Sequence, residues 1–151
     1  MQPVDVTRDS YVNFVTSFLS NVSPASDKAT VLALQGELGA GKTTLTQEIA
    51  SALGVSETVT SPTFVVQKIY PTNDARWSQL VHIDAYRIED RSELGPLRIS
   101  ELWCQPATLV VLEWPERILH DLPEDVTILR LTSVDETTRR IEPISLTDLQ
   151  S

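Results

Sequence analysis

Three observations predict an α/β fold in three layers, a mixed parallel and antiparallel sheet flanked by helices. The apolar run 31–34 enters a glycine-rich stretch at 36–43, and a helix-compatible segment, 43–53, follows before Gly54. Two more apolar runs each end on an acid, 80–83 at Asp84 and 109–112 at Glu113. Shorter strand-like segments separated by turn residues surround these runs, as antiparallel pairs require.

The elements follow in order. Tyr11, Phe14, Val15, Phe18, Leu19 and Val22 recur at steps of three and four, which predicts an N-terminal helix with one apolar face. Residues 21–28 form a loop before the first strand. Pro62 keeps Ser61 extended, so 60–63 is a loop leading to a strand at 64–70. A turn over 71–76 and a strand over 78–84 complete a hairpin. Residues 90–104 hold short helical pieces broken at Gly95-Pro96. Thr108 opens the strand that arrives at Glu113. Strands at 126–132 and 139–146, with a turn at Asp135-Glu136, end the chain.

A chain of 151 residues with 41% hydrophobic content suits a single domain, 1–151, with one core. No run is long enough to span a membrane, and the N-terminal residues lack the basic and apolar regions of a secretory signal. Cys104 is the one cysteine, so no internal disulfide forms and a cytoplasmic location is expected. With 12 basic against 21 acidic residues and lysine only at 28, 42 and 68, the chain lacks the clustered cations that grip nucleic acid unaided. His82, His120 and one cysteine make a zinc site a poor expectation.

The stretch 36–43 reads GELGAGKT, a G-x-x-x-x-G-K-T phosphate loop between strand and helix, so the expected fold is P-loop NTPase-like. Backbone amides of Glu37, Leu38, Gly39, Ala40, Gly41, Lys42, Thr43 and Thr44 would supply the dense donors a triphosphate needs. Lys42 would bridge the terminal phosphates, and the Thr43 hydroxyl would ligate Mg²⁺. The plainer use of such a stretch is a glycine turn before an ordinary helix.

If the strands ending at Asp84 and Glu113 run parallel to the phosphate-loop strand, both carboxylates emerge beside the triphosphate. Hydrolysis needs one acid to fix the hydrated metal and one polar group to orient the attacking water. Asp84 is assigned to the metal and Glu113 to the water, the exchanged assignment being the close alternative. A turn cap at Asp84 and a solvated acid at Glu113 are the commonplace uses. His82 shares the face of Asp84 as a second partner, although a lone histidine in an apolar strand more often serves the core.

Four ordered motifs, GELGAGKTT (36–44), SPTF (61–64), HIDAYR (82–87) and LEWPE (112–116), resemble the TsaE family, the bacterial tRNA threonylcarbamoyladenosine biosynthesis ATPases. The resemblance runs over about 31–118. It implies a small ATPase using ATP/ADP and Mg²⁺ that joins TsaB and TsaD type subunits. The complex attaches a threonylcarbamoyl group to the adenosine beside the anticodon, and tRNA is reached through it rather than bound tightly by this chain alone. Hydrolysis is expected to support repeated rounds. The resemblance carries Lys42 and Thr43 to phosphate and metal, Asp84 to the metal and Glu113 to catalysis. It places Thr63 in a switch-like loop, Trp114 at a partner surface or the nucleotide pocket, and Arg87 at phosphate or partner. Their plain alternatives are a turn threonine, a core plug and a surface ion pair with Glu89 or Asp90.

A second class, a small-molecule kinase, would need a mobile lid bearing arginines, for which Arg91 and Arg98 are the candidates. A GTPase lacks its N-K-x-D motif here. A non-enzymatic, nucleotide-gated binding protein stays open.

Overall fold

The computed structural model describes residues 1–60 and 67–150. Seven strands form one sheet in the order β1-β7-β6-β2-β5-β4-β3, with β1 at Val4–Thr7, β2 at Thr30–Gln35, β3 at Gln67–Pro71, β4 at Gln79–Asp84, β5 at Thr108–Glu113, β6 at Thr127–Ser133 and β7 at Thr138–Ile144. The centre, β6-β2-β5-β4, is parallel. Antiparallel β3 closes one side, and β7 with β1 the other. The expected hairpin of β3 and β4 is present, although residues 64–66 of the predicted strand lie outside the described residues.

Alternation sends neighbouring strand residues to opposite faces, and each face has its own core. On one side Leu32, Leu34, Leu80, Leu109 and Val111 pack with helices α1 (Tyr11–Ser20) and α2 (Lys42–Ala52). On the other, Val31, Ala33, Val81, Ile83, Val110 and Leu112 pack with Leu94, Leu97, Ile99 and Leu102. Burial on both faces explains why β5 reads as a continuous apolar run. The helical period of the N-terminal segment is met by buried Tyr11, Val15 and Leu19, with Phe14 and Phe18 packed at their edge.

Several expectations are corrected. Residues 4–7, unassigned from sequence, form a strand whose alternation Val4-Asp5-Val6-Thr7 is only four residues long and buries only Val6. The last strand stops at Ile144, and Leu146–Gln150 begin a short helix, α4, whose start Asp148 stabilises by accepting from the Ser145 N–H at 3.1 Å. Gly95-Pro96 does not break the segment 91–97, which is one 3-10 helix whose φ suits proline. The break comes at Arg98, in the left-handed region at φ 52, before α3 (Ile99–Leu102). Pro115–Asp121, unassigned from sequence, holds two short 3-10 pieces that meet at a kink at Ile118 (φ -126, ψ 34). Among the described residues no helix is long and apolar enough to cross a membrane.

Candidate functional site

β2 runs parallel to β5 on one side and to β6 on the other, and the chain crosses from one side of it to the other between β5 and β6, so a crevice opens beyond its carboxyl end. The glycine-rich loop occupies that point. Gly39 and Gly41 adopt φ +81 and +100, conformations that let successive amides face one concavity. Gly36 lies so close to the neighbouring strand that a Cβ there would sit 2.6 Å from the Leu131 carbonyl oxygen. Ala40 closes the tight turn by donating its N–H to the Glu37 carbonyl at 3.0 Å.

Lys42, the first residue of α2, curls back over the loop. Its Nζ donates to the carbonyls of Gly36 at 2.5 Å and Glu37 at 2.9 Å, leaving one ammonium hydrogen for another acceptor. Burial depresses its pKa, opposed by the charges of Glu113, Glu116, Asp84 and Glu37. The Trp114 ring lies over the ammonium at 4.5 Å and meets Tyr86 at 5.0 Å.

Asp84 and Glu113 are register partners on neighbouring parallel strands, and Glu113 pairs with Leu34 at the end of β2. Both carboxylates therefore open toward the loop. Thr43 Oγ1 donates to Glu113 at 3.3 Å to Oε1 and 3.4 Å to Oε2. His82 Nε2 lies 2.5 Å from Glu113 Oε2, and both side chains are buried. Asp84 Oδ1 accepts the Tyr86 N–H at 2.9 Å, so it also caps the turn after β4.

These residues border a cleft of about 890 Å³, lined by Leu38, Gly39, Gly41, Lys42, Thr43, Thr44, Asp84, Arg87, Glu113 and Trp114 among others. Leu38 stands at the loop tip, 71% exposed. Of the sequence candidates, Glu37 contributes its carbonyl to Lys42, Ala40 is buried beneath the loop, and His82 lies behind Glu113. Thr63 lies outside the described residues. Arg91 pairs with Asp121 at 3.0 Å and Arg98 with Glu101 at 3.5 Å, and neither lines the cleft.

Sequence reasoning missed the opposite wall. Arg8 and Tyr11 come from the N-terminal segment, and Glu136, Thr137 and Arg139 from the β6–β7 hairpin. The pairing of Val6 with Arg139 joins these two ends of the chain, and no local pattern announces it. Tyr86, inside HIDAYR, was also passed over.

The donor set fits a hard cation with phosphate. Thr43 offers a hydroxyl, and Asp84 and Glu113 offer carboxylates, all oxygen, as Mg²⁺ prefers. Among the described residues no three His, Cys, Asp or Glu side chains converge into a cage, so a phosphate would have to complete the shell.

Known proteins resemble this chain in sequence and in fold. The sequence model of one family, "Threonylcarbamoyl adenosine biosynthesis protein TsaE", matches residues 11–141. The tRNA threonylcarbamoyladenosine biosynthesis protein TsaE of Streptomyces coelicolor is 40% identical over 121 residues, 77% of this chain and 78% of that protein. The TsaE of Haemophilus influenzae is 32% identical over 82% of this chain and 75% of its own length. The TsaE of Bacillus subtilis is 43% identical over 95 residues, of which the match spans 56% of that protein. The crystal structure of Bacillus subtilis YdiB superposes with a TM-score of 0.70 at 22% identity, covering 98% of this chain and 93% of that one, which establishes the shared fold. With the family model covering nearly the whole chain and relatives this similar across most of their length, the chain belongs to the TsaE family.

Proposed function

We propose that this chain binds ATP with Mg²⁺ in the cleft and hydrolyses it slowly, as the accessory ATPase of a complex that forms threonylcarbamoyladenosine in tRNA. One observation carries the proposal. Thr43, at the start of α2, and Glu113, at the end of β5, touch beside Lys42, whose ammonium keeps one donor for an incoming anion.

In this reading the loop amides and Lys42 hold the phosphates, and burial of Lys42 strengthens its attraction to them. Thr43 and Glu113 would hold Mg²⁺, which supplies charge neutralisation at the phosphate oxygens when bound. The contact between them favours this exchanged assignment over the first one. Asp84 then orients the attacking water from the neighbouring strand end. Arg87, Tyr86 and Trp114 border the mouth, where TsaB and TsaD type partners would complete the site and raise a low basal rate. The net charge of -9 suits a subunit that meets tRNA through its partners. A cytoplasmic setting follows from that role.

The deciding assay mixes the chain with cognate TsaB and TsaD, tRNA and the threonylcarbamoyl-adenylate donor, and counts modified tRNA over many turnovers. The parent chain sustains turnover, and Lys42→Ala stops after the first rounds. Equal yields from both would refute the proposal. A phosphorylated small molecule appearing from ATP would favour a kinase instead.

A further inference from the structure

We infer that His82 is a positioning residue that clamps the Glu113 carboxylate, and this rests on the metal-binding reading of the cleft given above. His82 sits on β4 two residues before Asp84 and is 0% exposed. Its strand neighbours Val81 and Ile83 point into the opposite core. Its Nε2 meets Oε2 of Glu113 at 2.5 Å, while Nδ1 is buried with no hydrogen-bond partner among the described residues.

The direction of that bond follows from chemistry. An ionised carboxylate only accepts, so Nε2 carries the hydrogen. A bare nitrogen in an apolar layer costs less than a buried N–H lacking an acceptor, because the latter forfeits a donor that water would satisfy. Glu113 is itself 2% exposed and needs donors. Thr43 supplies one hydroxyl hydrogen shared over 3.3 and 3.4 Å, so the shorter bond from His82 sets the orientation of the carboxylate. With Oε2 tied to His82, Oε1 has only the shared Thr43 hydroxyl among the described residues. A partner of a ligating side chain that fixes its orientation typically changes metal affinity by about 10- to 100-fold when lost.

A purely structural histidine would need no particular nitrogen toward Glu113. The chain has two histidines, so His82 can be read in a long-range ¹H–¹⁵N spectrum of the full chain without nucleotide, with His120→Asn giving the assignment. The expected spectrum shows Nε2 protonated and Nδ1 bare, with the Nε2 resonance moving in Glu113→Gln. A hydrogen on Nδ1 with Nε2 bare overturns the inference.

Calorimetry then measures binding of a non-hydrolysable ATP analogue with Mg²⁺ and with EDTA. His82→Leu is expected to lose about tenfold of the Mg²⁺-dependent gain in affinity while binding in EDTA is unchanged. His82→Gln, whose amide N–H reaches toward the same oxygen, restores most of it. A His82→Leu protein that melts with the parent and keeps the full gain, or a His82→Gln protein as impaired as His82→Leu, overturns the inference. A parent with no Mg²⁺-dependent gain overturns the metal reading itself, and that failure is distinguishable because it appears before any substitution.

Discussion

The Lys42 ammonium lies 4.5 Å from the centre of the Trp114 ring, so the phosphate loop and the end of β5 are joined by a cation–π contact. Trp114 is held in the left-handed region at φ 60 and ψ 53, a conformation that costs a side-chain-bearing residue about 1–2 kcal/mol. The turn is pinned by the Trp114 N–H donating to the Leu34 carbonyl at 3.2 Å and by Pro115 after it. Strain retained at this point holds the indole against the Lys42 ammonium.

Nucleotide binding should therefore change Trp114 emission. Trp77 is fully buried in the core and Trp103 donates its indole N–H to the Asp121 carbonyl, so neither senses the loop directly. Titrating ATP into the parent is expected to shift or quench tryptophan fluorescence, and Trp114→Phe should remove the response while calorimetry still detects binding. A response that survives in Trp114→Phe would mean that the ring does not follow the phosphates.

Two phosphate-loop glycines refuse a side chain for different reasons and Gly95, outside the loop, has room for one, so alanine substitutions separate the three cases. Gly41→Ala meets both a φ of +100 and the Tyr11 hydroxyl at 2.8 Å, and Gly36→Ala meets the Leu131 carbonyl oxygen at 2.6 Å, which only a shift of β6 can relieve. A strain of about 1–2 kcal/mol at Gly41 corresponds to a fall in Tm of about 2–8 °C for a chain of this size, with Gly36 comparable or worse. Gly95→Ala, with open space around it, should melt within about 1 °C of the parent. Thermal melts of the three proteins check the order.

The parts of the fold that read clearly from the sequence are those in which neighbouring residues share one job. The loop 36–43, the run ending at Glu113 and the helix carrying Tyr11, Val15 and Leu19 each show a local pattern because each is buried or bonded along its own length. Strand β1 shows only a four-residue alternation, too short to stand out, and it is held by pairing with β7 from the far end of the chain and by the Asp5–Arg140 ion pair at 2.8 Å. Arg8 and Arg139 stayed unseen for the same reason: their shared wall exists only after that pairing forms. The acids Asp84 and Glu113 were legible because a charge ending an apolar run is conspicuous, whereas which acid approaches Thr43 depends on side-chain reach that spacing does not encode.

Glu116, in the 3-10 segment after Trp114, gives a test by pH. Burial raises its pKa above the ordinary 4.5, against the pull of its own N–H, Lys42 and Arg117, and Oε2 is buried with no partner among the described residues. A carboxyl with a raised folded-state pKa binds its proton more tightly in the native state, so stability declines as pH rises from about 4.5 through the folded value. Glu116→Gln removes that penalty. It should raise Tm at pH 7, with the gain fading as pH falls toward 4.5, where the parent is itself protonated. Melts of both proteins across this range check the sign, and a gain that grows on acidification would contradict it.

Asp84 and Glu113 face the same crevice, yet their surroundings differ. Glu113 is 2% exposed and touches Thr43, so its charge is committed to whatever the Thr43 hydroxyl also contacts. Asp84 is more open and shares its carboxylate with the Tyr86 amide at the cleft wall. Glu113→Gln should therefore weaken Mg²⁺-dependent nucleotide binding, by about tenfold or more if it ligates the ion, with binding in EDTA unchanged. Asp84→Asn should leave that affinity near the parent's while lowering partner-stimulated turnover by about 100-fold or more, the size of a lost proton-handling or water-orienting group. Calorimetry paired with single-turnover hydrolysis reads the two effects separately. The opposite split would return the ion to Asp84 and the water to Glu113, because each substitution keeps size and removes only the charge that the two roles use differently.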